Sequence, residues 1–164
     1  MNILKTILIL IAFSSCRNEV PPVKTGFEGK RPPEFKLLLS DSSTYIEASK
    51  LSSDSPTVYF YFSPHCPYSH AQMKDIIKNI NRLGNIHFYV FTTWPFNEMK
   101  KFCSTYELYK YKNITTGVDN AYTFEHFFNA TGVPYFAIYK KDKTLSHAFL
   151  GKISIDQIKA ATQN

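Results

Sequence analysis

The turn Ser63-Pro64-His65-Cys66-Pro67-Tyr68-Ser69 gathers the residue types that could do covalent chemistry in this chain. It follows a solid apolar run, Val58 to Phe62. It precedes a helical pattern in which Met73, Ile76, Ile77 and Ile80 fall at i, i+3, i+4 and i+7. A cysteine between the two stands at a helix N-terminus, where free N–H groups and the helix dipole favour a nucleophilic thiolate. Pro67 costs no helical hydrogen bond in a first turn and sets the angle at which the helix begins. His65, when protonated, adds to the stabilisation of negative charge. The apolar stripe extends back from Met73 to Ser69 and Cys66, so both are expected above the buried side of the helix. Inert packing is the rival reading for Cys66, because free cysteines often behave as small buried hydrophobes. Its junction position between two prolines favours reactivity.

Two further groups carry chemistry of their own. Cys66 and His70 are spaced i, i+4 and share a helical face, with His65 beside them; a thiolate with imidazole suits copper or zinc. A second cysteine is missing from that donor set, and no metal or other cofactor is assigned. Cys103 lies on an apolar stripe with Phe96, Met99 and Tyr106 and reads as core. Its helix is expected to pack away from the Cys66 turn, which argues against a distant resolving thiol.

The elements that must position the turn alternate in type from Glu34 onward. Phe35 to Leu39 and Thr44 to Ile46, split by Asp41-Ser42-Ser43, predict a leading hairpin. Val58 to Phe62 predicts a central strand covered on both faces. The helix after it is expected from about Pro67 to Leu83, with Gly84 placed to end it. Ile86 to Phe91 is the next strand, and Trp94-Pro95 opens a second helix. A short strand near Ile114 and a helix near Thr123 to Asn129 follow. Tyr135 to Tyr139 and Leu145 to Leu150 predict a hairpin around Lys141 to Lys143. Ser154-Ile155-Asp156-Gln157 starts the last helix as a capping box. The result is one α/β domain, a mixed central sheet sandwiched by helices in three layers.

Apolar strand, Cys-x-x-x turn and helix, followed later by Gly132-Val133-Pro134 and a hairpin, resemble the thioredoxin superfamily. The leading strands and the N-terminal segment are most similar to TlpA-like and redoxin-type bacterial lipoproteins. The resemblance covers residues 34 to 162. It implies a cis peptide at Pro134, packed beside an active Cys66, and thiol–disulfide exchange with exported proteins. The departure is Ser69, where TlpA-like reductases place a second cysteine. A dithiol pair resolves its mixed disulfide internally; serine cannot, so release needs a thiol from the substrate, a small molecule or another protein. Ser69 is left to donate a hydrogen bond to the Cys66 thiolate. Cys66-Pro67-Tyr68-Ser69 also resembles the monothiol glutaredoxin site, without the Gly-Gly and acidic pair that hold glutathione there. Ser63 fits the Thr or Ser that peroxiredoxins place three residues before their cysteine, but Tyr59 stands where they carry proline. The strand Thr57 to Phe62 lacks the buried acid that thioredoxins use as a proton relay. Pro67, Tyr68, Trp94 and Val133 are expected to line a substrate groove, and Tyr135 and Phe136 face the same region or the core.

The chain has 164 residues, 44% of them hydrophobic, three cysteines and a formal net charge of +6. That content excludes a disordered chain and suits one domain. Three cysteines are too few, and odd in number, for a disulfide-stapled miniprotein. The basic excess is dispersed over many lysines, so no nucleic-acid partner is expected. Met1 to Lys5, the apolar run Ile7 to Phe13 and Ser14-Ser15-Cys16 read as a secretory signal over 1–15 with a lipobox-like end. Cys16 would then be lipidated and tie the protein to the membrane, extracytoplasmically. Ala12-Phe13-Ser14 fits an ordinary cleavage site as the alternative. Removal of fifteen of 164 residues leaves 149 and lowers the charge by Lys5, to +5. Residues 16–33, rich in proline and glycine, are expected as a flexible tether, and residues 34–164 as the domain. The competing functional reading is a catalytically silent fold that holds extracytoplasmic polypeptide or a metal.

Overall fold

The computed structural model describes residues 19–50 and 54–163. The signal segment and Cys16 lie outside the described residues. Among the described residues, seven strands run in the order β2-β1-β5-β4-β3-β6-β7. They are β1 (Lys36–Leu39), β2 (Tyr45–Glu47), β3 (Thr57–Tyr61), β4 (His87–Thr92), β5 (Ile114–Val118), β6 (Tyr135–Tyr139) and β7 (Leu145–Leu150). The helices are α1 (Pro67–Lys78), α2 (Ile80–Leu83), α3 (Phe96–Thr105), α4 (Thr123–Phe128) and α5 (Ile155–Gln163). Strands β3, β4 and β5 are parallel, while β6, β7, β1 and β2 join antiparallel. All five residues of β3 are buried, as its unbroken apolar run predicts.

Side-chain alternation divides the core into two layers. Val58, Phe60 and Phe62 face α1, α3 and α5, where Met73, Ile76, Phe102 and Ile158 close over them. Tyr59 and Tyr61 face the other way, toward Phe35, Leu37, Phe124 and Phe128. This second layer is built of aromatic rings, with Phe124 among Phe35, Tyr59, Tyr61, Phe91, Phe128 and Tyr135. Gly117 allows β1 to approach β5, because a Cβ there would meet Leu37 Cβ at 2.9 Å and the Leu38 carbonyl oxygen at 3.0 Å.

Two expectations need correction. The helix predicted over 67–83 breaks at Asn79, whose Nδ2 donates to the Asp75 carbonyl at 2.9 Å. That side-chain bond competes with the helical ladder, and the chain restarts as the short α2 before Gly84. Residues 19–33, expected as tether, are docked along β7 as far as they are described. Val23 N donates to the Ala148 carbonyl at 2.8 Å, Gly29 N to that of Leu145 at 2.9 Å, and Leu145 N to that of Lys30 at 2.8 Å. Phe27 stacks on Phe127 at 4.1 Å, and Gln157 Nε2 donates to the Val20 carbonyl at 2.7 Å. The physical reason is that β7 would otherwise present an unpaired sheet edge.

The C-terminal capping box forms as read: Gln157 N donates to Ser154 Oγ at 3.1 Å and Ser154 N to Gln157 Oε1 at 3.2 Å. Cys103 is buried, with its sulfur 3.4 Å from Met99 Sδ. Burial pushes its thiol up to about 12, against hydrogen bonds from Thr116 and its own backbone that lower it. With Cys16 replaced by serine, a disulfide reagent at pH 8 should therefore titrate one thiol in the folded protein. A second should appear only after denaturant. Two fast-reacting thiols under native conditions would contradict this burial.

Candidate functional site

The end of β3 delivers Phe62 into the core and releases the chain into the turn. Ser63 Oγ accepts a hydrogen bond from His65 N at 3.2 Å, and Cys66 N donates to the Ser63 carbonyl at 3.1 Å. These two bonds fold the chain back so that Cys66 becomes the N-cap of α1 with extended backbone, and Pro67 opens the helix. The Cys66 side chain is half-buried, and its Sγ lies 3.5 Å from the Val133 carbonyl oxygen, to which the thiol donates. The Val133–Pro134 peptide is cis, as the resemblance implied. Pro134 is buried, and its carbonyl accepts from Gly151 N at 2.8 Å, which ties the loop to the end of β7. Cys66 and the cis-proline loop, separated by 67 residues, are thus brought into contact.

Ser69 is fully buried. Its Oγ accepts from Ser63 N at 3.4 Å. Its observed partner is the turn backbone, where a bond to the Cys66 thiolate was expected. Next to Cys66 in the chain, Pro67 and Tyr68 are exposed, Tyr68 by 65%; Trp94, which packs on His65, is 40% exposed. Tyr135 and Phe136 belong to the core, at 2% and 0%. Of the four residues expected to line a groove, Pro67, Tyr68 and Trp94 are exposed, while Val133 is partly buried against the core.

His70 has a different task from the one its spacing suggested. Nδ1 lies 2.7 Å from the Tyr106 hydroxyl, and Nε2 donates to the Pro64 carbonyl at 2.8 Å. Tyr106 also lies 3.2 Å from the His70 carbonyl, and Phe102 packs on the imidazole at 4.9 Å between ring centres. With both nitrogens engaged, the Cys66–His70 pair is not assembled for a metal, and no group of three or more ligating side chains occurs among the described residues. His70 instead clamps the turn to α3. That contact also corrects the expectation that α3 packs away from the turn: Phe102 stacks on Phe62 at 4.1 Å, and Glu98 meets His65 Nε2. Cys103 sits on the side of α3 that faces β5, where Thr116 bonds it.

Two groupings were not visible in the sequence. His65 is held between Glu98 and the edge of Trp94, at 4.6 Å between ring centres. Tyr61 donates to Glu125 Oε2 at 2.5 Å and lies 3.0 Å from Thr93 Oγ1. Burial and the Glu125 carboxylate push the Tyr61 phenol well above its ordinary range. A half-buried acid thus reaches the end of β3 from α4, although the strand itself carries none. The partners are 33 and 64 residues apart, and no local pattern announces either pair.

No family model and no curated sequence matches this chain. Solved structures do. A secreted Mycobacterium tuberculosis disulfide oxidoreductase homologous to E. coli DsbE superposes with TM-score 0.62 at 20% identity, over 78% of this chain and 92% of that one. M. tuberculosis dsbF gives 0.65 at 18% identity, over 79% and 96%. A peroxiredoxin-like protein from Aquifex aeolicus gives 0.63 at 16%, over 86% and 87%. With the sheet order, the helix-capping cysteine and the cis-proline loop, these likenesses establish that the chain has the thioredoxin-like fold.

Proposed function

We propose that the chain is a thiol–disulfide oxidoreductase that works through Cys66 alone, on thiols or disulfides of exported proteins, tethered to a bacterial membrane by lipid on Cys16. The observation that carries this reading is the placement of Cys66 Sγ at a helix N-terminus against the carbonyl before cis-Pro134. The similar structure named as a secreted disulfide oxidoreductase supports the same chemistry. Cys66 thiolate attacks one sulfur of a substrate disulfide, a mixed disulfide forms, and the other sulfur leaves as thiolate and takes a proton. Ser69 offers no second attack, so the mixed disulfide waits for an outside thiol.

Trapping tests the proposal. The mature protein incubated with an extracytoplasmic protein fraction should form adducts that dithiothreitol dissolves and that vanish in Cys66→Ser. The absence of adducts from the wild-type protein, with Cys66 free and the fold intact, would overturn it. Radiolabelled palmitate incorporation that is lost in Cys16→Ser tests the tether separately.

A further inference from the structure

The docked N-terminal segment sets how far the domain stands from the lipid proposed on Cys16. On the first turn of α5, Gln157 Nε2 holds the Val20 carbonyl at 2.7 Å, and the Ala148 carbonyl holds Val23 N at 2.8 Å. Farther along, the Thr25 N–H and hydroxyl both donate to Glu28 Oε1, and Phe27 packs on Phe127 and Phe128. Val20 rests on one core layer and Phe27 on the other, so the segment is pinned from Val20 onward. Val20 is the fourth residue after Cys16, and four extended residues span at most about 14 Å. As a free linker, residues 17–33 would reach roughly 50 Å. The reactive turn lies at the same end of the sheet as this lead. Only β6 and β7 separate β3 from the segment, which makes three strand spacings, about 14 Å. Tyr61, Tyr135 and Leu150 are in register, and Val23 bridges Ala148, two residues short of Leu150. The bridge is antiparallel, so the chain before Val23 runs toward the Leu150 end, where β3 delivers Cys66. With the four-residue lead, these spacings keep Cys66 within roughly 40 Å of Cys16.

We infer that the face made by Pro21, Pro22, Val23 and α5 rests on the bilayer that holds the Cys16 lipid, and that Cys66 serves thiols and disulfides of proteins held at that same surface. The inference rests on the lipid and redox readings above. The short lead leaves this face nearest the anchor, and its composition suits the contact. Pro21, Pro22 and Ala160 are exposed, and Val23 is 37% exposed. A groove of about 230 Å³ lies between the segment and α5, walled by Phe149, Ala160 and Ala161. A second, of about 490 Å³, is shared by Pro22, Val23, Lys24 and Ser146, and His147 borders both. Headgroup-level contact removes this apolar surface from water. Glu19 lines the first groove, and Lys24 and Glu28 line the second, so the charges are mixed and the contact does not depend on anionic lipid.

Two measurements on the mature lipidated protein in phosphatidylcholine vesicles test it. In the first, Cys66→Ser protein carries a thiol-reactive fluorophore introduced by Ala160→Cys or by Tyr109→Cys. Tyr109 is 78% exposed and lies just before β5, four places from β7 in the sheet. A nitroxide on the lipid headgroup should quench the label at position 160 about 3-fold more than the label at 109. Inserting about fifteen Gly/Ser residues after Asn18 lengthens the lead and should bring the two labels toward equality. In the second, wild-type protein meets peptide disulfides anchored in the same vesicles, either at the headgroups or on a helical spacer of about 60 Å. Mixed disulfide with Cys66 should form about 10-fold faster at the headgroups, because the spacer exceeds the reach of roughly 40 Å. The Gly/Ser insertion should narrow that ratio. Equal quenching at the two positions, or equal rates with the two peptides, overturns the inference. Protein that fails to float with the vesicles carries no lipid, and the inference falls with the tether. If neither peptide reacts, it is the redox reading that fails, and the quenching still decides the face.

Discussion

Ser69→Cys should raise the dithiothreitol-driven reduction of insulin by about 100-fold, because an intramolecular attack replaces a bimolecular one. Cys66 is the N-cap of α1 and Ser69 lies three residues on, in its first turn. Helical geometry places such Cα atoms about 5 Å apart, inside the range a disulfide spans. Ser69 is buried and its hydroxyl accepts from Ser63 N at 3.4 Å, a bond that sulfur can also accept. The replacement adds little volume, so the fold should hold. Insulin turbidity measures the gain, and mass spectrometry checks for a disulfide between Cys66 and the thiol introduced one turn on. If that disulfide forms and insulin reduction does not rise, the rim around Cys66 no longer serves exchange, and the binding-module reading takes precedence.

The second large effect concerns stability. Phe124→Ala should cost about 4 kcal/mol, as removal of a fully enclosed ring from a core does. The Phe124 ring lies 4.7 Å from Phe128 and 4.9 Å from Phe91, and the side chain is 0% exposed. Its backbone N donates to Asp119 Oδ2 at 2.9 Å, and Asp119 is itself fully buried, so the ring and the start of α4 are fixed together. A domain of this size holds roughly 5–15 kcal/mol in all, so the variant should sit near the edge of folding. Phe127→Ala, which removes the stack on Phe27 from a partly exposed position, should cost only about 1 kcal/mol. Urea unfolding at constant m-value separates the two, and equal losses would show that α4 is not anchored through Phe124.

Phe124 also shows where sequence reading stops. A helix near residues 123–129 was expected from the sequence, without a face assigned to it. Which sheet face it covers depends on tyrosine and phenylalanine rings from β3, β4, β6 and the residue leading into β1, and no local pattern records that meeting. The docked segment 19–33 is the sharper case. Proline and glycine there argue for an unfolded linker, and they do exclude a regular strand. The three backbone bonds to Leu145 and Ala148 are available all the same, because β7 has an otherwise empty edge. Local composition carries no term for a vacant edge elsewhere in the chain.

Short-range chemistry determined much of the site. An unbroken apolar strand, a proline-flanked cysteine and a helical stripe suffice to place Cys66 at a helix N-terminus, and Ser69 one turn on settles that the turn has a single sulfur. Those statements need only the 2.0 and 3.6 residue periods and the bonding limits of the side chains. Tertiary structure alone decided what surrounds that sulfur. Val133 approaches it because β6 pairs with β3, His70 is taken from metal binding because Tyr106 and Pro64 hold both its nitrogens, and Glu98 reaches His65 because α3 leans on the turn. Each of these contacts joins residues from separate elements, and its free energy exists only once the sheet and its two cores have packed.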